Sequence, residues 1–349
     1  MRTLFSLLVI ITVSGCGQKT PDSQFFQTLS EKLITPSYRL LTQQSQTFYT
    51  ATTQCQSTLN HSNSSAIHSE WRNTMAAWQT VEWVRFGPMA ELSQQWQLQF
   101  WPDKKNIIGR KMKALLNKEA LSIEDVKQAG VIAQGLPAIE YVLFDDRAAH
   151  IASIQQRCKL LVLVAEQLKA NTLMLYNSWI DYSAKQINTL NATQHNKTMT
   201  ILVINSLVQQ LDRMVNQKIA SPLNLGDNNK RINAYFLESW RSDHSFNNLK
   251  HNISAIDTLF NAGGLIEYLQ GHDQQPLIDN ISAKLLSIKT IISSDLPLAS
   301  LDLIDNPKVS QSAILPLYTE LDELRNLIKG DLVNALNIRI SFNASDGDS

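Results

Sequence analysis

The residue in this sequence best placed to do chemistry is a single carboxylate, Glu140, within an apolar stretch. If the stretch is helical, its neighbours one turn away are all apolar, namely Leu136, Pro137, Leu143 and Phe144. A buried carboxylate without a local partner is costly, so it must find a cation, a metal ion or a hydrogen-bond donor elsewhere, or keep its proton. Glu140 is therefore either a functional carboxylate or one half of an ion pair that joins two helices.

Two further charges lie on a predicted helical seam that is otherwise apolar and mostly aromatic. Trp71, Met75, Trp78, Glu82 and Arg85 recur at spacings of four, three, four and three residues, which places them on one face. Glu82 and Arg85 should therefore point inward. Their spacing of three residues allows them either to neutralise each other on the same helix or to take part in a site.

A third carboxylate, Asp103, follows a short break at Phe100-Trp101-Pro102. It can cap the helix that is predicted after it, because a side-chain carboxylate accepts hydrogen bonds from the first backbone amides of a helix.

The elements that must position these residues are predicted to be helices throughout. Apolar residues recur with the helical period in nearly every segment, and no strand-like alternation of useful length is present. The 12 glycines and 10 prolines are few for 349 residues, which disfavours a turn-rich β protein. Pro137 should either kink the helix that carries Glu140 or lie in the first turn of a new one. The fold class is all-α, and two packed helical bundles suit the length.

The charge balance gives no support for a nucleic-acid partner. Lysine plus arginine equals aspartate plus glutamate at 31 each, and no basic block occurs.

The first residues predict export to the cell envelope. Arg2 precedes an apolar run at residues 4–13, too short to span a bilayer as a stable helix, and the run ends in Ser14-Gly15-Cys16. This pattern resembles a bacterial lipoprotein box, which implies a signal peptide at residues 1–15, a lipid-modified Cys16 and a tether to residue 24. Gly17 in place of aspartate favours the outer membrane, facing the periplasm. The alternative is a plain signal peptide with an incidental cysteine.

The two other cysteines, Cys55 and Cys158, leave two alternatives open. In an oxidising periplasm they could pair, and in the chain-entropy model closing so long a loop stabilises by about 4 to 5 kcal/mol. They could equally remain buried free thiols, because the sequence does not show whether they are close.

Five segments, in order along the chain, resemble motifs of the imelysin-like family. They are residues 78–88, 100–103, 135–144, 238–242 and 340–348. The resemblance covers most of residues 25–349 and implies two helical bundles, at about 25–150 and 151–349, related as a pseudo-repeat with the functional cleft between them. It also implies an envelope protein, often iron-regulated and linked to iron acquisition.

The sequence departs from the family signature, Gly-x-His-x-x-Glu, at the histidine. Gly135 and Glu140 match, but the histidine position is Pro137, which offers no metal ligand, whereas a histidine nitrogen suits iron, zinc or copper. The resemblance implies a set of candidate metal ligands made only of oxygens, which would hold a hard cation best. These ligands are Glu82, Asp103 and Glu140, and the accompanying cleft residues are Trp78, Arg85, Trp101 and Arg241. His244 could supply a nitrogen from the second bundle.

Two functions follow from these readings. In the first, the chain is a non-enzymatic lipoprotein that binds one metal ion, iron or another divalent cation, and acts with an envelope iron-transport protein. In the second, it is a metal-free relative whose cleft binds a small ligand or an envelope protein, and an arginine pairs with Glu140. A metallopeptidase is the remote alternative, because the sequence carries neither a nucleophile set nor a His-Glu-x-x-His zinc pair.

Overall fold

The structure is a computed structural model that describes residues 21–56, 64–91, 94–189, 193–225, 232–294 and 307–339. Every regular element within these ranges is helical and none is a strand, so the all-α prediction is confirmed. The predicted signal peptide, Cys16 and the motif at residues 340–348 lie outside the described residues. No helix of the described ranges is both long enough and apolar enough to cross a membrane.

The α-helices are numbered here in chain order. They are α1 (Pro21–Leu29), α2 (Thr35–Thr52), α3 (Ser64–Val81), α4 (Pro88–Glu91), α5 (Gln94–Leu98), α6 (Ile107–Leu116), α7 (Ile123–Gln128), α8 (Gly135–Phe144), α9 (Asp146–Ile151), α10 (Ile154–Thr189), α11 (Thr193–Asp212), α12 (Ser221–Leu223), α13 (Ser245–Phe260), α14 (Leu265–Gln270), α15 (Gln275–Ser293), α16 (Pro307–Leu327) and α17 (Val333–Ala335). Wider π-helical turns occupy Ser30–Ile34, Arg213–Ala220 and Ile328–Leu332, and short 3₁₀ turns occupy Val131–Ala133 and Ala234–Phe236.

The long helix α10 organises the packing of the first half. It lies along α2 and also contacts α8, while α2 packs against α3. Its buried residues include Leu161, Leu168, Leu175 and Trp179, spaced at seven, seven and four, so they form one face of the helix. The indole of Trp179 donates a hydrogen bond of 3.0 Å to Thr35 Oγ1, which satisfies its buried N–H.

Helices from the two halves of the chain share one hydrophobic core. Helix α13 packs against α3, and α1 packs against both α11 and α14. The buried apolar side chains of these elements form a single contiguous cluster. The division into bundles at about 25–150 and 151–349, and the pseudo-repeat, stay predictions.

The helix that carries Glu140 begins just before the proline. Helix α8 starts at Gly135, so Pro137 lies in its first turn, where a missing N–H costs nothing. Of the two expectations for Pro137, a new helix is therefore the one observed. Gly135 has φ +76°, and a Cβ at this position would lie 2.5 Å from Gln97 O and closer still to Leu98 O. Only glycine fits there, which gives the signature glycine a structural role.

A disulfide joins Cys55 to Cys158, with their Cα atoms 5.5 Å apart. Of the two alternatives for these cysteines, the structure has the bonded one. Cys55 follows α2 and Cys158 lies near the start of α10, so the bond links the two helices that pack along each other.

Candidate functional site

Glu82 is buried and its main partner is a lysine from the second half of the chain. It lies just after the end of α3, and its Oε1 accepts hydrogen bonds from Lys218 Nζ, from Gln210 Nε2 at 2.7 Å and from Asn252 Nδ2 at 3.0 Å. Among the described residues Glu82 makes no ion pair with Arg85, the neighbour three residues on. Of the two readings for Glu82 and Arg85, mutual pairing is therefore not the one found.

Lys218 binds a second buried carboxylate, Glu238. Its Nζ lies 3.1 Å from Glu238 Oε2, and it also donates to Gln79 Oε1 and Asn252 Oδ1, both at 2.7 Å. Glu238 accepts a further hydrogen bond of 2.8 Å from Gln99 Nε2. All these side chains are buried, so the network joins the two halves of the chain through charge-assisted hydrogen bonds.

The charges around Glu82 keep its carboxylate ionised. Burial alone would raise the pKa of Glu82, but Lys218, with Arg213 and Arg85, outweighs burial and lowers it to about 2. The carboxylate of Glu82 is therefore charged at neutral pH.

Sequence reasoning missed Lys218, although a signal was present. Leu211, Met214, Val215 and Lys218 follow one another at helical spacings, and all four are buried. A lysine that continues an apolar stripe points inward and needs a buried carboxylate. Glu238 was recognised only as part of a motif, because no neighbour in the sequence marks it as buried.

Glu140 is buried and is held by the backbone and side chain of one serine. Its Oε1 accepts 2.9 Å from Ser242 N and 2.8 Å from Ser242 Oγ, and the backbone N–H of Arg241 also donates to the carboxylate. Burial raises the pKa of Glu140, and the charge of Arg241 and the Ser242 hydrogen bonds oppose this rise. Within the described residues no arginine side chain forms a two-bond ion pair with Glu140, which is the geometry expected in the metal-free reading.

The guanidinium of Arg241 turns instead to Asp145, the residue that follows α8. Arg241 Nε donates 2.8 Å to Asp145 Oδ2, and Asp145 also accepts two bonds, of 2.8 and 2.6 Å, from Arg147. The guanidinium lies over Trp240 at 4.4 Å and Tyr141 at 5.5 Å. Asp145 is thus fully engaged, and Arg241 is fixed on an aromatic surface.

Asp103 caps the next helix, as its position in the sequence predicts. Its Oδ1 accepts 2.6 Å from Ile107 N and its Oδ2 accepts 3.0 Å from Ile108 N, at the start of α6. Both oxygens are therefore used in holding the first turn of the helix.

The three candidate metal ligands have separate partners in this arrangement. Glu82 binds Lys218, Asp103 caps α6, and Glu140 binds Ser242. Within the part of the chain that the structure describes, no three His, Cys, Asp or Glu residues form a group that could hold a metal ion. These described side chains do not fit a metal ion held by protein atoms alone.

The remaining predicted residues surround the same region. Trp78 Nε1 donates 2.7 Å to Gln99 Oε1, and Trp101 lies under the guanidinium of Arg213 at 4.9 Å. His244 is buried edge-on to Trp71, with ring centroids 6.0 Å apart, and its Nε2 has no partner among the described residues.

Residues 238–245 connect these contacts. Ser239 and Asp243 adopt φ values of +52° and +57°, a conformation that is sparsely populated by residues other than glycine and that clusters at functional sites. The turn sends Glu238 to Lys218, Ser242 to Glu140 and Arg241 to Asp145. One short segment therefore couples the buried network to the signature helix.

A cleft of about 890 Å³ opens beside this segment. Four aromatic side chains line it, namely Phe144, Tyr235, Phe236 and Trp240. Four cations and four carboxylates line it as well, namely Lys104, Lys105, Arg147, Arg241, Asp103, Asp145, Asp146 and Asp243. Tyr235 is 59% exposed, and its ring meets Trp240 edge-on at 4.8 Å. Of the lining residues, sequence reasoning named only Asp103 and Arg241 as site candidates, because nothing in the sequence shows that the segments meet.

Comparison with known proteins gives one family and three matching chains of solved structures, two of which follow. The family model described as Imelysin (Peptidase M75) matches residues 34–328. An imelysin-like protein from Psychrobacter arcticum 273-4 shares 17% identity and has a TM-score of 0.78, with 92% of this chain and 97% of that chain covered. A putative iron-regulated protein A precursor from Parabacteroides distasonis ATCC 8503 also shares 17% identity, with a TM-score of 0.68 and coverages of 90% and 97%. No curated protein matches. At this identity the two structures show the fold.

Proposed function

The chain belongs to the imelysin family, and on this premise we propose that it is a non-enzymatic binding protein of the cell envelope that serves iron uptake. Its ligand would be a small aromatic molecule that chelates iron, bound in the cleft beside α8. Iron would then be cargo, with its ligand atoms supplied by the chelator.

The lining of the cleft is the observation that carries this proposal. Aromatic rings offer flat apolar surfaces to a planar ligand, and Lys104 and Lys105 attract its anionic groups, whereas Arg147 and Arg241 are already paired with Asp145. The volume of about 890 Å³ suits a small organic molecule, since such sites typically span about 300 to 1,000 Å³. The exposed ring of Tyr235 provides a surface against which a ligand can pack.

The link to iron rests on a relative. The similar protein from Parabacteroides distasonis is named a putative iron-regulated protein A precursor. Glu82, Asp103 and Glu140 each have a separate partner, so they do not form a shared site for a metal ion. Iron that is already held by a chelator needs no coordination by these carboxylates and is therefore compatible with this arrangement.

The proposed location follows from the first residues of the sequence. A lipid on Cys16 would anchor the protein in the outer membrane with its helical domain in the periplasm. There it would deliver the chelate to an envelope iron-transport protein. If the cleft instead binds a segment of such a protein, catechol and its Fe³⁺ complex will not bind.

Fluorescence titration with catechol and with its Fe³⁺ complex tests the proposal, because Trp240 lines the cleft. We expect saturable binding of the Fe³⁺ complex, and Tyr235→Ala should weaken it about tenfold through lost stacking surface. Trp96→Ala is the matched control, since Trp96 is also an exposed aromatic, at 40%, but does not line the cleft. Absence of saturable binding, or equal weakening by Trp96→Ala, would overturn the proposal.

A further inference from the structure

A second polar site lies away from the cleft, where the residues after α3 meet the end of α11. Gln210 Nε2 donates 2.7 Å to Glu82 Oε1, and the backbone N–H of Arg85 donates 3.3 Å to Ser206 Oγ. Arg213 follows Gln210 by one turn and begins the π-helical segment that carries Lys218. We refer to Glu82, Arg85, Gln210 and Arg213 as the arginine junction.

Several buried polar atoms of the arginine junction have no partner among the described residues. Glu82 Oε2 and Gln210 Oε1 are unpaired acceptors on side chains that are 2% and 1% exposed. Arg85 Nε and Arg213 Nε are unpaired donors. Buried polar atoms are almost always satisfied in native proteins, so water or a ligand must complete this junction.

The charges of the junction favour an anion over water. The nearby carboxylates are Glu82 and Glu238, and both already share Lys218. Arg85 and Arg213 also act on Glu82 through their charges, but neither forms an ion pair with a carboxylate in the described ranges, so three cations face two carboxylates. Burial, and next the charge of Arg213, lower the pKa of Arg85 to about 10. The guanidinium carbon of Arg213 lies 4.9 Å from the ring centroid of Trp101.

We propose that the arginine junction binds a small oxyanion that carries its own hydroxyl group, of the hydrogen phosphate or hydroxycarboxylate class. The oxygens of the anion accept hydrogen bonds from Arg85 and Arg213, for which guanidinium is well suited. Its hydroxyl donates to Glu82 Oε2, the carboxylate oxygen that lacks a partner.

This geometry makes the site selective. An oxyanion without a proton places its lone pairs against Glu82 Oε2 and is repelled, whereas one with a hydroxyl group donates a charge-assisted hydrogen bond to that oxygen. Phosphate should therefore bind and sulfate should not. In the same way glycolate should bind better than acetate.

Isothermal titration calorimetry near neutral pH with these four anions tests the proposal. We expect phosphate or glycolate to bind at least about tenfold more tightly than its hydroxyl-free counterpart, because a buried acceptor left unpaired is costly. Arg213→Gln and Arg85→Gln should each weaken binding by a similar factor. Glu82→Gln should abolish the preference for phosphate over sulfate, since its amide can donate to either anion.

Arg157→Gln is the matched control. Arg157 also has a buried Nε without a partner, but its pKa is lowered by burial alone, with no second charge beside it. It should leave anion binding unchanged. Arg213→Lys, which keeps the charge, replaces Arg213→Gln if thermal unfolding shows that the latter does not fold.

Three results would overturn the proposal. The first is that none of the four anions binds, which would leave water in the junction. The second is that the two members of each pair bind equally well. The third is that Arg157→Gln loses as much binding as the variants of the junction.

Discussion

Two buried carboxylates depend on a single side chain, Lys218. The lysine lies between Glu82 and Glu238, and all three side chains are at most 2% exposed. In water such ions would be hydrated, so the buried network is favourable only while every member keeps its partners. The consequence is that removing one partner should cost far more than removing a surface ion pair.

Lys218→Met tests the network. The substitution fills a similar volume but removes the lysine that pairs with both Glu82 and Glu238, so we expect the free energy of unfolding to fall by about 3 to 5 kcal/mol. Urea unfolding measures this change. Lys284→Met is the control, because Lys284 pairs with Glu320 and Glu323 at the surface, where solvent screens the interaction. Similar losses in both variants would contradict the buried network.

His244 should make stability sensitive to mild acid. Burial, followed by the charges of Arg72 and His251, lowers the pKa of His244 from 6.5 to about 4. The unfolded chain therefore binds a proton on His244 at a higher pH than the folded chain does. The contribution of His244 to the free energy of unfolding is complete above pH 6.5 and declines as the pH falls to about 4. The total decline is about 3 kcal/mol if the whole pKa shift is expressed.

His244→Gln should flatten that decline, because it removes the titrating group. Urea unfolding at several pH values between about 7 and 4 gives the comparison. His150→Gln is a suitable control, since His150 is exposed. If the wild type and His244→Gln lose stability in parallel, His244 is not the group responsible.

For individual residues, the sequence predicts which side chains are buried better than it predicts their hydrogen-bond partners. Glu140 could be identified as buried because its helical neighbours are apolar, and Asp103 as a cap because a helix follows it. The partner of Glu140 could not be identified, because Ser242 lies 102 residues away and only the tertiary fold brings it near. Lys218 and Glu82 are 136 residues apart for the same reason.

Among the elements, the start of α8 is the most constrained. The close approach of the carbonyl groups of Gln97 and Leu98 leaves no space for a side chain at Gly135. Since α8 carries Glu140 and leads into Asp145, any shift of its first turn should reach both the Ser242 contact and the cleft.

Gly135→Ala should therefore destabilise the fold strongly. The alanine would have to adopt a positive φ, and its methyl group would clash with the carbonyl oxygens of Gln97 and Leu98. The free energy of unfolding should therefore fall by more than about 2 kcal/mol. Gly130→Ala is the matched control, because Gly130 has φ +79° and nothing within 4 Å of the Cβ position. It meets only the conformational cost of its backbone angles, φ 79° and ψ −173°, of about 1 to 3 kcal/mol, so its loss should be smaller than that of Gly135→Ala, which adds the clash. Equal losses in thermal or urea unfolding would show that the close contact is unimportant.

Helix boundaries could be predicted only in part. Pro137 left a kink and a new helix as alternatives, and the structure has the new helix, because proline fits a first turn. The seam that contains Trp71 and Trp78 is buried as expected, but α3 ends at Val81, before Glu82 and Arg85. Those two residues still point into the protein, since tertiary contacts with α11 and Lys218 hold them there.

For the whole molecule, helical periodicity was enough to predict the class of the fold. The arrangement of the helices could not be derived from periodicity, because it depends on which apolar faces meet. The single core shared by α3, α13, α1 and α11 illustrates this point. The disulfide was also undecidable, since proximity of Cys55 and Cys158 follows from the packing of α2 on α10.

Removal of the disulfide should lower stability without affecting the cleft. Cys55→Ser with Cys158→Ser opens a loop of 103 residues, so the chain-entropy model predicts a loss of about 4 to 5 kcal/mol. Neither cysteine lines the cleft, and binding of the catechol complex should be unchanged at temperatures where the variant is folded. A loss in stability below about 1 kcal/mol would contradict the expected constraint on the unfolded chain.

The most direct test of the account is equilibrium dialysis of the mature protein against labelled iron, with and without catechol. We expect about one equivalent of iron to be retained only when the chelator is present, and Tyr235→Ala to reduce this retention. Without chelator, iron should stay unbound in the wild type and in Glu140→Gln alike. Retention of Fe²⁺ under anaerobic conditions without any chelator, abolished by Glu140→Gln, would contradict it. The metal would then be held by the protein itself, at the signature carboxylate.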